Sequence, residues 1–260
     1  MPDASSADVV CGVDDQVAVI RIDVPSTRNA LTAHVMLAIA DHLSSVDADD
    51  GIRAAVITGT GSQFASGGDI RELRTTKPSV FLTGARIDAW DRIIAFSKPL
   101  VAAVRGVALG GGCELALTCD AIVAGDDARF GLPEVSLGLI PGAGGGQRLA
   151  RAAGRFVAAE VVLGGRRLTA WEARRAGLVA AVVPREQVVE SGVAHARVLS
   201  RGAPLAARFA KRSLRLSEEL PIDRAIDQER ALTAALLSTG DMQEATSAFL
   251  EKREPRFTGR

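Results

Sequence analysis

The chain has 260 residues, 47% of them hydrophobic, and its 31 basic and 31 acidic side chains cancel to a formal net charge of zero. That is ample apolar material for one large packed domain, or for a core with an appendage. The balance of charge gives neither a polyanion nor a membrane surface a reason to be the main partner, so no nucleic acid and no membrane is expected.

The first eight residues carry acids where a secretory signal needs a basic and then an apolar stretch, and no later apolar run is long enough to cross a bilayer, so a cytoplasmic location is expected. Cys11, Cys113 and Cys119 are odd in number and lack metal-type spacing, which supports neither a disulfide framework nor a zinc site. His34, His42 and His195 lie in charged, helix-like surroundings with no Ser or Cys nucleophile motif nearby, so a histidine-based triad has no support. Basic residues are almost all arginine, with lysine only at positions 77, 98, 211 and 252.

In chain order, residues 17–23 alternate as a strand, and 29–46 read as a helix with Asn29 as its cap. A second strand at 53–58 runs into Gly59-Thr60-Gly61-Ser62 and the segment Phe64-Ala65-Ser66-Gly67-Gly68-Asp69-Ile70. Residues 80–96 pattern as an amphipathic helix, 100–107 as an apolar strand, and 114–117 as the start of a further helix. A third unit begins at 121–124 and continues through the glycine-rich stretch 141–149. From about residue 205 the pattern is helical only, over 205–216, 222–237 and 242–252. Strand, glycine turn and helix thus repeat over residues 1–200, and 201–260 form a helical segment too short for a core of its own, expected to pack on the core or on another subunit.

Glycine-rich turns invite a nucleotide reading. A phosphate-cradling loop needs Lys-Ser or Lys-Thr after its final glycine, and the dinucleotide fingerprint needs G-x-G-x-x-G opening a helix; neither is present. What the glycine clusters do hold is two carboxylates. Glu114 follows Gly110-Gly111-Gly112-Cys113, and Glu134 ends Phe130-Gly131-Leu132-Pro133-Glu134. Paired carboxylates beside exposed backbone N–H groups suit acid–base chemistry next to a carbonyl.

The segments 64–73, 98–115 and 130–149, taken together with 25–31 and 248–253, closely resemble the crotonase family, and within it the enoyl-CoA hydratases. The resemblance spans nearly the whole chain. It implies an α/β fold, a crotonase-type spiral of ββα repeats followed by a C-terminal α-helical trimerisation segment, assembled as a homotrimer or a dimer of trimers. It implies an acyl-CoA thioester as substrate, with CoA part of that substrate and no other cofactor or metal. By the same resemblance the thioester oxygen sits between the N–H groups of Gly68 and Gly111, Glu114 holds and deprotonates water at the β-carbon, and Glu134 delivers a proton to the α-carbon. The two glutamates act as a coupled pair, so the division of their roles stays open.

Substrate contacts carried over by the resemblance are Ala65, Gly68, Asp69, Ile70, Arg71 and Gly111 along the thioester and pantetheine path. Arg28 and Lys252 are candidates for the CoA phosphates, Lys252 from a neighbouring subunit, and Phe249 for the adenine. Asp69 is expected to hold the turn after Gly68 rather than to react. Glu134 needs to stay protonated to act as an acid, for which Leu132, Val135 and Leu137 are expected to desolvate it beside a second carboxylate.

Two positions depart from the family pattern: Gly146 stands where Thr is usual, and Arg105 where Asn is usual. Residues 77–90, which shape the acyl pocket in this family, are not diagnostic of chain length or branching. Isomerases of the superfamily keep only the later glutamate, so retention of both favours hydration. The alternatives are an enoyl-CoA isomerase or other crotonase-type lyase on an unusual acyl-CoA, and a non-catalytic acyl-CoA-binding protein. A nucleotide-binding redox protein is opposed by the missing fingerprint.

Overall fold

Strands rich in valine, isoleucine and alanine form a sheet that is covered on both faces, which is why they read as continuous apolar runs rather than alternating ones. In the computed structural model, which describes residues 8–260, the strands are β1 (Val9–Asp14), β2 (Val17–Ile22), β3 (Ala30–Leu31), β4 (Ala54–Gly59), β5 (Gly67–Gly68), β6 (Leu100–Val104), β7 (Val107–Leu109), β8 (Ala121–Gly125), β9 (Arg129–Gly131), β10 (Leu168–Thr169) and β11 (Ala181–Val183). The helices of the first part are α1 (Ala33–Ala48), α2 (Ile70–Thr75), α3 (Pro78–Thr83), α4 (Ala85–Ala95), α5 (Gly111–Thr118), α6 (Gly145–Ala153), α7 (Arg155–Val162), α8 (Ala170–Arg175) and α9 (Val188–Leu199). Three more follow, α10 (Pro204–Glu219), α11 (Ile222–Leu236) and α12 (Gly240–Glu251).

One six-stranded sheet runs β1-β2-β4-β6-β8-β11, parallel throughout except for the β1–β2 hairpin. The short strands pair separately, β3 with β5 and β7 with β9 in parallel, and β10 with β9 antiparallel. Four times over, the chain gives a strand to the long sheet, then a strand to the short set, then a helix. This ββα winding stacks the short strands beside the long sheet and carries the turns before α2 and α5 to one place.

Alternation is visible inside the long sheet. Ala55, Ile57, Ala102 and Val104 face the larger core with α1, while Val56, Val101 and Ala103 face a smaller one closed by Val188, Val193 and Ala196 of α9. Helix α9 comes so close that a Cβ on Gly192 would lie 2.9 Å from the Ala103 side chain.

Several element boundaries differ from the sequence reading. The strand expected over 100–107 breaks at Arg105-Gly106, where Gly106 takes φ +58° and a Cβ would lie 1.9 Å from the Ser62 carbonyl oxygen. That break transfers the chain from the long sheet to the short strands. The helix expected over 80–96 is two helices parted at Gly84, and the helix expected from 114 already starts at Gly111. The three C-terminal helices lie where periodicity placed them. The acidic N-terminal stretch, apart from Asp8, lies outside the described residues. Among the described residues no helix is long and apolar enough to cross a membrane.

Asn29 does not cap α1. That helix is capped by Thr32, whose hydroxyl accepts from the Val35 N–H at 3.2 Å. Asn29 is buried in the left-handed region at φ 57°, and its amide clamps two turns together: Oδ1 accepts from Val24 N–H at 2.9 Å, while Nδ2 donates to the carbonyls of Thr60 at 3.2 Å and Gln63 at 2.9 Å. We expect Asn29→Ala to destabilise the fold by about 3 kcal/mol, because it strands buried backbone groups as well as losing the bonds. A denaturant midpoint equal to wild type would show that this clamp is not needed.

Candidate active site

Two glycine-rich turns meet at the mouth of a cleft of about 470 Å³. The first is held by β5. Gly67 has φ +106° and no room for a side chain, since a Cβ would approach the Leu109 carbonyl oxygen to 2.9 Å. Gly68 pairs with Leu31 in the register of β3. Directly after it, Asp69 caps α2 by accepting from the Arg71 N–H at 2.8 Å, and it pairs with the Arg71 guanidinium at 2.8 Å. That bond to Arg71 holds the Asp69 carboxyl down at about 2. Asp69 therefore holds the turn, as its position implied, and Arg71 is exposed beside it.

The second turn is held by β7 and β9. The Gly110 N–H donates to the Gly131 carbonyl at 2.9 Å, tying the start of α5 to the strand that leads to Glu134. Gly110 has φ 50°, and its open side faces Glu134, whose Oε1 would be 3.1 Å from a Cβ there. Gly111 is the first residue of α5, so its N–H has no intrahelical acceptor and points out of the positive end of the helix. A Cβ on Gly111 would lie 3.6 Å from the Gly68 nitrogen, which brings the two backbones face to face.

Glu114 sits one turn into α5 and is 4% exposed. Its Oε1 accepts from two backbone N–H groups of the glycine-rich 141–149 loop, Ala143 at 2.7 Å and Gly145 at 3.0 Å. Glycine is needed at 145 for this approach, since a Cβ would meet Glu114 Cγ at 2.7 Å. One carboxylate oxygen is thus fixed, and Oε2 makes no hydrogen bond to the described residues.

Glu134 opens a short 3-10 turn, Glu134–Leu137, after Pro133. It is half-buried, and its Oε2 is shielded from solvent without a hydrogen-bond partner. Burial, and then the charge of Glu114, push its carboxyl above the ordinary glutamate value. The source of that burial differs in part from expectation. Leu132 is fully buried, but Val135 and Leu137 are exposed, and of the three only Leu137 lines the cleft.

The rest of the cleft is apolar, walled by Ile70, Leu73, Phe81, Trp90, Leu139 and Ile140. One cation stands among them. Arg86, on α4, donates from Nη1 to the Leu31 carbonyl at 2.9 Å and lies 3.6 Å from the Glu72 carboxylate. Sequence reasoning passed over it inside the undiagnostic 77–90 segment. The available signal was its helical register: Arg86 shares a face with Trp90 and Ile93, both buried.

Other sequence candidates fall outside the cleft of this single chain. Ala65 is fully buried, and both its backbone polar groups are used by β7, to Val107 and Leu109. Arg28 is exposed at φ 57°, with its carbonyl accepting from Ser66 N–H at 3.1 Å. Phe249 is 83% exposed and Lys252 is exposed just beyond α12. Gly146 lies within α6 with room for a side chain, the nearest atom to a Cβ being Val162 Cγ2 at 3.9 Å. Among the described residues no group of three His, Cys, Asp or Glu side chains could hold a metal ion.

Residues 12–260 match the profile of the Enoyl-CoA hydratase/isomerase family. The chain belongs to that family. Its α/β architecture is accordingly the crotonase fold. The 2,3-dehydroadipyl-CoA hydratase of Escherichia coli is 42% identical over 98% of this chain and all of its own length. The mitochondrial enoyl-CoA hydratase of Pongo abelii is 36% identical over 95% of this chain and 85% of its own. A crystal structure of enoyl-CoA hydratase from Mycobacterium tuberculosis superposes with TM-score 0.90 at 34% identity, covering 97% of this chain and 99% of that one. The chain is accordingly an enzyme of the enoyl-CoA hydratase type.

Proposed function

We propose that the protein adds water reversibly across the double bond of a trans-2-enoyl-CoA, giving a 3-hydroxyacyl-CoA, with Glu114, Glu134 and the N–H groups of Gly68 and Gly111 as its machinery. The observation that carries this reading is the pairing of carboxylates in one cleft: Glu114 anchored through one oxygen by two N–H groups, and Glu134 half-buried, with its pKa pushed up by burial. Glu114 takes a proton from water as the water oxygen bonds to C3. The π electrons move toward the thioester, whose oxygen gains enolate charge between Gly68 and Gly111. Collapse of the enolate takes a proton from Glu134 at C2. Pre-aimed N–H donors stabilise that charge only as it develops, so they lower the barrier rather than merely tighten binding.

In this scheme CoA is part of the substrate, and no metal or further cofactor takes part. Arg28, with Phe249 and Lys252 of a neighbouring subunit, serves the nucleotide end. The exposed apolar residues of the helical segment, including Leu214, Ile222, Leu237 and Leu250, support assembly into a trimer or a dimer of trimers; light scattering showing a monomer would remove that part. The acyl group is set by the apolar cleft, and the Escherichia coli relative is named for a dicarboxylic acyl group.

The test is loss of the conjugated enoyl-thioester absorbance when purified protein meets crotonyl-CoA. No loss, alongside tight binding of CoA esters, would overturn simple short-chain hydration in favour of a longer or unusual acyl group or of a binding protein. The raised pKa of Glu134 adds a signed expectation. An acid works while protonated, so kcat/KM for hydration is sustained past the ordinary glutamate range and falls as pH rises through the raised value. A fall confined to the ordinary glutamate range would contradict the assigned role.

A further inference from the structure

The cleft holds a cation that the hydration scheme does not use. Apart from Glu114 and Glu134, Arg86 is the only charged side chain lining it among the described residues. Its side chain is 17% exposed, and burial pulls its pKa down. Its compensation is partial. Nη1 is occupied by the Leu31 carbonyl, and Glu72, 3.6 Å away, is 39% exposed and also accepts from the Ala33 N–H. Nη2 makes no hydrogen bond to the described residues and stands in the space that a side chain at Gly68 would fill, 2.8 Å from an ideal Cβ there. Glycine at 68 is what lets the guanidinium lie beside the thioester end of the cleft.

A neutral acyl chain laid against Leu73, Phe81 and Trp90 would seal this guanidinium from water with Nη2 unpaired, which is costly for a buried charge. An acyl chain that ends in a carboxylate would instead supply the missing partner as a charge-assisted hydrogen bond. Nη2 lies beside both glycine turns, 2.8 Å from an ideal Cβ on Gly68 and 3.7 Å from one on Gly111, so with C2 and C3 held between the glutamates only a short chain that folds back brings its carboxylate to it.

We propose that Arg86 is the specificity-determining residue of the acyl pocket and selects short enoyl-CoA thioesters whose acyl chain ends in a carboxylate. This rests on the enoyl-CoA reading above. The oxyanion itself is already served by two backbone donors, so the unused Nη2 is assigned to the substrate's second anion.

Calorimetric binding of two saturated ligands, adipyl-CoA and hexanoyl-CoA, to wild type, Arg86→Met and Arg86→Lys reads the inference without requiring turnover. Wild type is expected to favour adipyl-CoA by about tenfold to a hundredfold. Arg86→Met should abolish that preference, and Arg86→Lys, a cation without the fork, should keep part of it. Equal affinities in wild type overturn the inference even if no variant folds. A preference that survives in Arg86→Met overturns it as well, because another group is then reading the carboxylate. If Arg86→Met instead weakens both ligands equally and shifts the enolate absorbance of bound acetoacetyl-CoA, Arg86 acts on the thioester oxygen and the inference fails. Hydration of crotonyl-CoA and of 2,3-dehydroadipyl-CoA by wild type is followed separately: absence of both removes the hydratase reading, while the affinity ratio still decides the role of Arg86.

Discussion

Glu114→Gln and Glu134→Gln are each expected to lower kcat for crotonyl-CoA hydration about a thousandfold, the scale of a positioned general base or acid. The substitutions keep shape and size, so the effect isolates the proton. In Glu114→Gln the amide oxygen can still accept from Ala143 and Gly145 N–H, the two bonds that place the side chain, yet the group can no longer take a proton from water. In Glu134→Gln, a carboxyl with one buried, unpartnered oxygen and a pKa raised by burial is replaced by an amide that has no acidic proton to give. Because the two carboxylates serve one proton-transfer event, the double variant should lose much less than the product of the single losses. Steady-state kinetics with a binding control checks this. Loss of crotonyl-CoA binding in step with kcat would mean that the glutamates build the pocket rather than run the reaction, and a variant near wild-type rate would remove that glutamate from the mechanism.

The parts of this site that could be read from sequence are those whose physics is local. Glu114 is placed by the turn that precedes it, and Gly110-Gly111-Gly112 announces both a positive-φ turn and a bare helix start. Gly106 interrupts its strand because of Ser62, more than forty residues earlier, and no local periodicity carries that contact. Asn29 reads locally as a helix cap, because Asn often caps helices, whereas tertiary hydrogen bonds to Thr60 and Gln63 put it in a buried clamp. Of the chain neighbours expected to desolvate Glu134, Leu132 is buried and Leu137 lines the same cleft, but Val135 is exposed, and Gly110, distant in sequence, lies against Glu134 Oε1. Arg86 was illegible for a related reason. A helical arginine reads as a solvated charge until Gly68, far away in sequence, is seen to leave it room.

Removing the Gly111 N–H should cost nearly as much as removing a glutamate. Gly111 is the first residue of α5, a position at which proline fits the helix and replaces an N–H that has no intrahelical acceptor with a ring methylene. Gly111→Pro is therefore expected to fold and to lower kcat about a hundredfold or more, the measured scale for one oxyanion donor. Gly111→Ala is the necessary companion. It keeps the N–H, and its Cβ would meet the Gly68 nitrogen at 3.6 Å and Leu31 Cδ1 at 3.7 Å, ordinary contact distances. Alanine should then lose far less than proline if the N–H is what matters. Losses of equal size would assign the effect to crowding at the cleft mouth and remove Gly111 from the oxyanion site. The enolate of bound acetoacetyl-CoA gives an independent reading, since a lost donor raises the pKa at which the ligand ionises, whereas simple crowding weakens its neutral and ionised forms alike.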